Sequence, residues 1–166
     1  MKPLLKNILF FISVSVFSSC TTTIYIVRHA EKADNSTNAV LSDAGHQRAI
    51  ALCDTLKTKG IDSIFASTFT RTQQTANPTA RFLHKTISIY QPDTVAGLVR
   101  ALQRISGKDI LLVGHSDNVP EIIQGMTGET VTITNNDFDN LFVVKFKSNN
   151  PSAGTLVRKT YGQPTQ

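Results

Sequence analysis

A continuous apolar run in the second half of the chain decides the fold: Asp109-Ile110-Leu111-Leu112-Val113-Gly114. An apolar run without polar alternation is typical of a strand that is covered on both faces, as at the centre of a parallel sheet. Predicted strands alternate with predicted helices through most of the chain, which favours such a sheet. We therefore predict an α/β fold, a three-layer α/β/α sandwich with a mostly parallel central sheet.

The other elements follow from residue type and periodicity. Clusters of β-branched and aromatic residues predict further strands at 22–27, 63–66, 87–90, 141–146 and 155–158. Apolar residues at helical spacing predict helices at 43–59, 71–83, 94–105 and 119–126. Ser42 is the expected N-cap of the first helix and Gly60 its stop. Pro78 is expected to kink or break the second helix, and Asn118 to open the fourth.

Length and composition indicate one folded domain. The chain has 166 residues, of which 40% are hydrophobic and 17% are charged, enough for a single core. The formal net charge is +5, but no basic stripe with interleaved aromatic residues is present, which argues against nucleic-acid binding. The sequence has two cysteines, Cys20 and Cys53. Cys53 lies within a predicted helix, and we expect it to be a small buried hydrophobe.

The first nineteen residues have the pattern of an export signal. Lys2 and Lys6 precede an apolar run at 8–17, and the small residues Ser18 and Ser19 follow it. A run of this length is too short to span a bilayer, which takes roughly 20 residues. We predict that 1–19 is a cleaved signal peptide.

Cys20 narrows the type of signal, because it follows the small pair directly. The segment resembles the lipobox of bacterial lipoproteins, with Phe17 in place of the usual Leu. Lipid on Cys20 would attach a domain of residues 20–166 to a membrane of the cell envelope, on the periplasmic or outer-membrane side in a Gram-negative cell. The alternative is an ordinary secretory signal with a coincidental cysteine.

Four basic side chains follow predicted strands. Arg28 and His29 follow the first strand, Arg71 comes just after the second, and His115 follows the apolar run at 109–114. In parallel sheets the ligand site lies beyond the carboxyl ends of the strands, so we expect these side chains to meet.

Arginines bind phosphoryl oxygens through paired charged hydrogen bonds, and a neutral imidazole can attack phosphorus. A metal site is disfavoured, because Arg28 and Arg71 would repel a dication near His29 and His115.

These residues lie in strings that resemble the histidine phosphatase superfamily, the phosphoglycerate mutase-like proteins, and its small branch 1 members in particular. The strings are Ile26-Val27-Arg28-His29-Ala30-Glu31-Lys32, Leu41-Ser42-Asp43-Ala44-Gly45, Ser67-Thr68-Phe69-Thr70-Arg71-Thr72-Gln73-Gln74-Thr75-Ala76 and Val113-Gly114-His115-Ser116. Ala30 stands where the signature usually has Gly. The resemblance runs from about Thr22 to Gly128, which makes residues 20–166 the expected histidine phosphatase domain.

The resemblance implies a role for each matching residue. His29 would be the nucleophile that becomes phosphorylated, Arg28 and Arg71 would bind the phosphoryl group, and His115 would complete the pocket and stabilise the transition state. The expected activity is metal-independent and cofactor-independent hydrolysis of phosphomonoesters, phosphohistidine or other phosphoramidates. The substrate would be a phosphorylated small molecule or a phosphoprotein.

The proton donor is less defined by the sequence. Asp93 follows a strand between the second and third blocks, where the family typically has its acid, but Pro92-Asp93-Thr94 also reads as a turn and helix cap. Asp117, Glu31 or no acid at all are the alternatives. A non-catalytic phosphate- or phosphoprotein-binding lipoprotein of the same fold is the alternative function.

Overall fold

The computed structural model describes residues 20–165, and the predicted leader 1–19 lies outside them. The strands are β1 (Thr21–Arg28), β2 (Ser63–Ser67), β3 (Ile87–Tyr90), β4 (Asp109–Gly114), β5 (Asn140–Lys147) and β6 (Asn150–Thr160). The helices are α1 (Asp43–Leu56), α2 (Thr70–Phe82), α3 (Val95–Gln103) and α4 (Asn118–Thr127). No helix in this part of the chain is long and apolar enough to cross a membrane.

The six strands form one sheet in the order β3-β2-β4-β1-β5-β6. The first four of these are parallel, and β5 and β6 add an antiparallel edge. This confirms the mostly parallel sheet. In register, Arg28 at the end of β1 lies opposite Gly114 at the end of β4. The residues that follow these two strands therefore start from neighbouring points on one sheet edge.

Helices cover both faces of the sheet, which confirms the three-layer sandwich. Alternate residues of β4 enter different cores: Ile110 and Leu112 pack with α3 and α4, whereas Leu111 and Val113 pack with α1 and α2. All four side chains are fully buried. Double coverage explains why β4 shows no polar alternation.

The structure differs from the sequence-based prediction at three helix positions. The first helix ends at Leu56 rather than at residue 59, because the last residues form a turn closed by Lys59 N–H on Leu56 O. The second helix continues through Pro78 to Phe82, so no break occurs there. The fourth is capped by Asp117, whose carboxylate accepts the Asn118 N–H at 2.8 Å.

Two local expectations are confirmed. Ser42 caps α1 by accepting the Gly45 N–H at 3.1 Å. Cys53 is buried, as expected for a small hydrophobe in the core.

Candidate active site

The carboxyl ends of β1, β2 and β4 open into one cleft, and the sequence-predicted residues meet there. The cleft is lined by Arg28, His29, Arg71, Asp93 and His115, together with residues that the sequence did not single out. Cys20 is elsewhere, exposed at the opposite end of β1. The sheet topology thus gathers side chains separated by up to 87 positions, as expected for ligand sites of parallel sheets.

The His29 ring is held in one tautomer. Its backbone N–H donates to Gly114 O at 2.9 Å, and Nδ1 lies 2.8 Å from the carbonyl oxygen of Ala30. A carbonyl only accepts, so Nδ1 carries the proton and Nε2 keeps its lone pair. Burial, assisted by the charges of Arg28, His115 and Arg71, lowers the pKa of His29 to about 3. The imidazole is therefore neutral near pH 7 and suited to nucleophilic attack.

The His115 ring lies 5.3 Å from that of His29, centroid to centroid. Nε2 lies 2.7 Å from Ser67 Oγ, and Nδ1 lies 3.4 Å from Nη2 of Arg71. A guanidinium only donates, so Nδ1 is the acceptor and Nε2–H donates to Ser67. Burial, followed by the positive charge of Arg71, lowers the pKa of His115 to about 4.

Arg28 is anchored by the loop before β5. Its Nη1 donates to the carbonyl oxygens of Thr134 at 2.8 Å and Asn135 at 2.9 Å. The guanidinium carbon lies 4.2 Å from the ring centre of Phe138, which also approaches His29 at 6.2 Å. The Nε of Arg28 is buried without a hydrogen-bond partner among residues 20–165.

Arg71 stands in the first turn of α2 in a similar setting. Its Nη1 donates to Thr37 O at 2.8 Å, and its guanidinium carbon lies 4.3 Å from the ring centre of Phe69. Its buried Nε also has no partner within the described part of the chain. Buried N–H donors are normally satisfied, so a bound oxyanion would supply what both arginines lack.

The three candidate proton donors differ in whether they line the cleft. Asp93 and Asp117 both line the cleft and are exposed. Glu31 does not line it, because its carboxylate pairs with the buried Arg48, with Oε1 2.8 Å from Nε and 2.7 Å from Nη2. Between residues 20 and 165, no group of three His, Cys, Asp or Glu side chains is arranged to hold a metal ion.

A sequence profile described as Histidine phosphatase superfamily (branch 1) matches residues 24–92. Residues 24–92 therefore belong to branch 1 of the histidine phosphatase superfamily. The matched segment holds three of the four strings recognised in the sequence, including Arg28, His29 and Arg71. His115 lies beyond it and joins the site through the register of β4 with β1. No curated protein matches the chain.

Solved structures share the histidine phosphatase fold at low identity. The protein histidine phosphatase SixA, solved with tungstate, is 19% identical with a TM-score of 0.70, covering 83% of this chain and 96% of that one. Phosphoserine phosphatase from Entamoeba histolytica, solved with 3-phosphoglyceric acid, is 15% identical with a TM-score of 0.62, covering 86% and 98%. The mycobacterial glucosyl-3-phosphoglycerate phosphatase is 13% identical with a TM-score of 0.63, covering 75% and 90%. At these identities the likeness shows the fold.

Several residues in or around the candidate site were not predicted from the sequence. Ser67 ends β2, so the rule that placed His29 and His115 after strand ends could have found it. Phe69 and Phe138 gave no signal, because each reaches its arginine from a loop whose path is not encoded by local periodicity. Asn135 also lines the cleft, as does Lys32 of the first family string, and both extend the polar surface around the two arginines.

Proposed function

We propose that this histidine phosphatase domain is a metal-independent phosphatase acting through a phosphohistidine on His29. The substrates would be phosphomonoesters, or phosphohistidine and other phosphoramidates. The observation that carries the proposal is a neutral, single-tautomer imidazole facing a cleft with two arginines whose Nε atoms have no partner among residues 20–165. Family membership and the phosphatase fold neighbours support phosphatase activity in general.

The first step is attack on phosphorus. Nε2 of His29 forms the N–P bond while the P–O or P–N bond to the leaving group breaks in line. The proton stays on Nδ1 and is donated to Ala30 O, which stabilises the positive charge that develops on the ring. Arg28 and Arg71 hold the equatorial oxygens, where charge accumulates in the transition state.

The leaving group needs a proton in this step. We propose Asp93 as its donor, with Asp117 as the rival at the same rim. The carboxylate left on the donor then takes a proton from the water that attacks phosphorus. The N–P bond breaks, phosphate forms, and His29 returns to its neutral tautomer.

Binding of a phosphoryl dianion would change the protonation state of His115. In the structure its Nδ1 accepts from Arg71, so this tautomer has no Nδ1 proton to donate into the cleft. A phosphoryl dianion nearby would favour the protonated ring and turn Nδ1 into a donor, since an opposite charge raises a histidine pKa. Ser67 Oγ can keep accepting from Nε2 in either state, which leaves the ring orientation unchanged.

Two substrate classes are supported by the fold neighbours. One is described as a protein histidine phosphatase and another as a phosphoserine phosphatase. A phosphoramidate leaves readily, so it would depend little on Asp93, whereas an alkyl phosphate would depend on it strongly.

We also propose that Cys20 carries lipid and attaches the domain to a membrane of the cell envelope. This rests on the leader pattern at 1–19 and on the exposure of Cys20. In cells fractionated at high salt, Cys20→Ser should move the protein from the membrane to the soluble fraction. Unchanged membrane association would refute the anchor.

The catalytic proposal is tested by trapping the intermediate. The full chain is mixed with a radiolabelled aryl phosphate, quenched, and examined for acid-labile, base-stable label on His29. His29→Ala should lose both label and turnover, while His46→Ala, an exposed histidine of α1, should keep both. Absence of label together with turnover that survives His29→Ala would overturn the proposal. Saturable phosphate binding without turnover would indicate the non-catalytic binding alternative.

A further inference from the structure

The end of the sheet opposite the cleft is where the chain enters the fold. Cys20 O accepts the Ser148 N–H at 3.1 Å, and β1 then runs from Thr21 to Arg28. A strand of this length separates Cys20 from the cleft by about 25 Å. Thr21 pairs with Lys147, and the Cβ of Cys20 lies against Gly107. Any membrane attachment through Cys20 or the apolar run before it therefore acts at this end.

Exposed cations collect around Cys20 at this end. We call the surface formed by them the basal face: Lys57, Lys59, Lys85, Arg104, Lys108 and Lys147. They lie at the carboxyl ends of helices, in the loops that lead into strands, and at the end of β5. Lys85 and Lys108 both act on the same carboxylate, Asp62, which places them together.

Carboxylates do not balance the basal face. Asp54 pairs with Lys57 at 2.8 Å and Asp62 pairs with Lys108 at 3.2 Å. The remaining cations, Lys59, Lys85, Arg104 and Lys147, form no ion pair within residues 20–165. The half-buried Asp109, at the start of β4, adds a third carboxylate at this end, whereas the exposed Asp34, Asp43, Asp93 and Asp117 lie toward the cleft end. The unpaired cations therefore lie at the basal end of the parallel strands, opposite the cleft.

Helix dipoles account for only part of this pattern. Lys57 and Arg104 occupy the C-caps of α1 and α3, where a cation stabilises the negative helix end. Lys108 and Lys147 lie beside β4 and β5, so no helix end explains them. Their common feature is proximity to Cys20, with Thr23 N bonded to Lys108 O and Thr21 paired with Lys147.

We propose that the basal face docks on an anionic phospholipid surface and holds the cleft away from the membrane. The chain enters the fold at this face, so the tether and the charges act on one plane, and each strengthens the other through effective concentration. A cation close to such a surface improves partitioning about fivefold. The attraction weakens with salt, because the Debye length is only about 10 Å at 0.1 M.

The test uses the full chain and its own lysines as probes. The protein is added to vesicles of phosphatidylcholine, or of phosphatidylcholine with phosphatidylglycerol, and its amines are acylated with a water-soluble reagent and mapped by mass spectrometry. Lys59, Lys85 and Lys147 should be protected only on the anionic vesicles, and high salt should remove the protection. Lys32 in the cleft and Lys159 on β6 are internal controls that should react equally on both.

A matched pair of double variants checks the cause. Arg104→Gln with Lys147→Gln should weaken affinity for anionic vesicles about thirtyfold and unmask Lys59 and Lys85. Arg158→Gln with Lys159→Gln removes the same charge from β6 and should change neither. Equal protection on neutral vesicles, resistance to salt, or protection of Lys32 and Lys159 would overturn the proposal. Protection by a soluble polyanion but not by vesicles would assign the face to an acidic macromolecule and also overturn it.

Discussion

Nε2 of His115 lies 2.7 Å from Oγ of Ser67, the last residue of β2. Ser67 Oγ in turn lies 2.9 Å from Thr72 Oγ1, whose hydroxyl lies 2.7 Å from Phe69 O. With Arg71 donating to Nδ1, the bonds form one directed chain from the guanidinium through the imidazole to α2. The second histidine is therefore oriented by β2 and α2, although it directly follows β4.

Ser67→Ala should lower kcat with little change in KM. The arginines that bind phosphate remain, but Nε2 of His115 loses its buried acceptor, which costs about 1–3 kcal/mol. That corresponds to roughly a five- to 150-fold loss. Steady-state kinetics on an aryl phosphate measures it. Ser63→Ala, at the other end of β2, is the matched control. A rise in KM with kcat unchanged would contradict a role in orienting His115.

Asn38→Ala should weaken phosphate binding through Arg71. The Asn38 side chain accepts the Thr70 N–H at 2.8 Å and so caps α2, whose own N-cap residue provides no side-chain bond. Such a cap contributes about 1 kcal/mol. The same loop supplies Thr37 O to Arg71, so its loosening should raise KM several-fold.

Asn38→Asp is the rescue variant for that loop. It retains an acceptor oxygen and adds a charge favourable at a helix N-terminus. Both stability, from thermal unfolding, and KM should return toward the parent values. An Asn38→Ala variant that loses stability but keeps its KM would separate the cap from the site.

The central sheet was predictable from the sequence, because a strand buried on both faces has an unbroken run of apolar residues. β4 was predicted at its observed bounds from its unbroken apolar run. β6 was predicted only at 155–158 but extends over Asn150–Thr160. It is an edge strand with mostly exposed residues, so pairing with β5 sets its length rather than its own composition.

Site residues were predictable where topology alone brings them together. Arg28, His29 and His115 follow strands that pair in register, so the fold class implies their proximity. Phe69 and Phe138 were not, because their contacts with the arginines depend on the paths of two loops. Asp117 caps α4 in place of the expected Asn118, because the side-chain oxygen of Asn118 accepts the His115 N–H at 2.9 Å.

Asp93→Asn should slow alkyl phosphates about a hundredfold or more while activated aryl phosphates and phosphoramidates change little. A poor leaving group needs the proton that Asp93 would donate, and a good one does not. The Asp93 carboxylate has no hydrogen bond or ion pair within residues 20–165, so it is available for proton transfer.

Asp117→Asn is the comparison for that series. Asp117 already accepts the Asn118 N–H as a cap, and an amide oxygen can replace it there. We expect a uniform, small effect across leaving groups. Leaving-group dependence in Asp117→Asn, with none in Asp93→Asn, would reassign the acid to Asp117.

Stability should fall as the pH is lowered from about 6.5 toward 4. The pKa values of His29 and His115 are lowered by burial to about 3 and about 4, so in this range the unfolded chain binds protons that the folded chain does not. The stabilisation is complete above pH 6.5 and is lost toward the folded values. Thermal unfolding across this range should be less pH-dependent in His29→Asn. The control His46→Asn, on the exposed face of α1, should keep the parent slope.

Glu31→Gln should lower stability without altering the chemistry of the cleft. Arg48 is buried and binds Glu31 through Nε and Nη2, while its Nη1 donates to Gln163 O at 2.9 Å. Removing one charge of such a pair costs about 3 kcal/mol, because the other is left uncompensated. Asp54→Asn, which breaks the exposed pair with Lys57, should change stability far less. Denaturant unfolding measures both. A Glu31→Gln protein of unchanged stability that selectively loses activity on alkyl phosphates would instead make Glu31 the proton donor, despite its position outside the cleft.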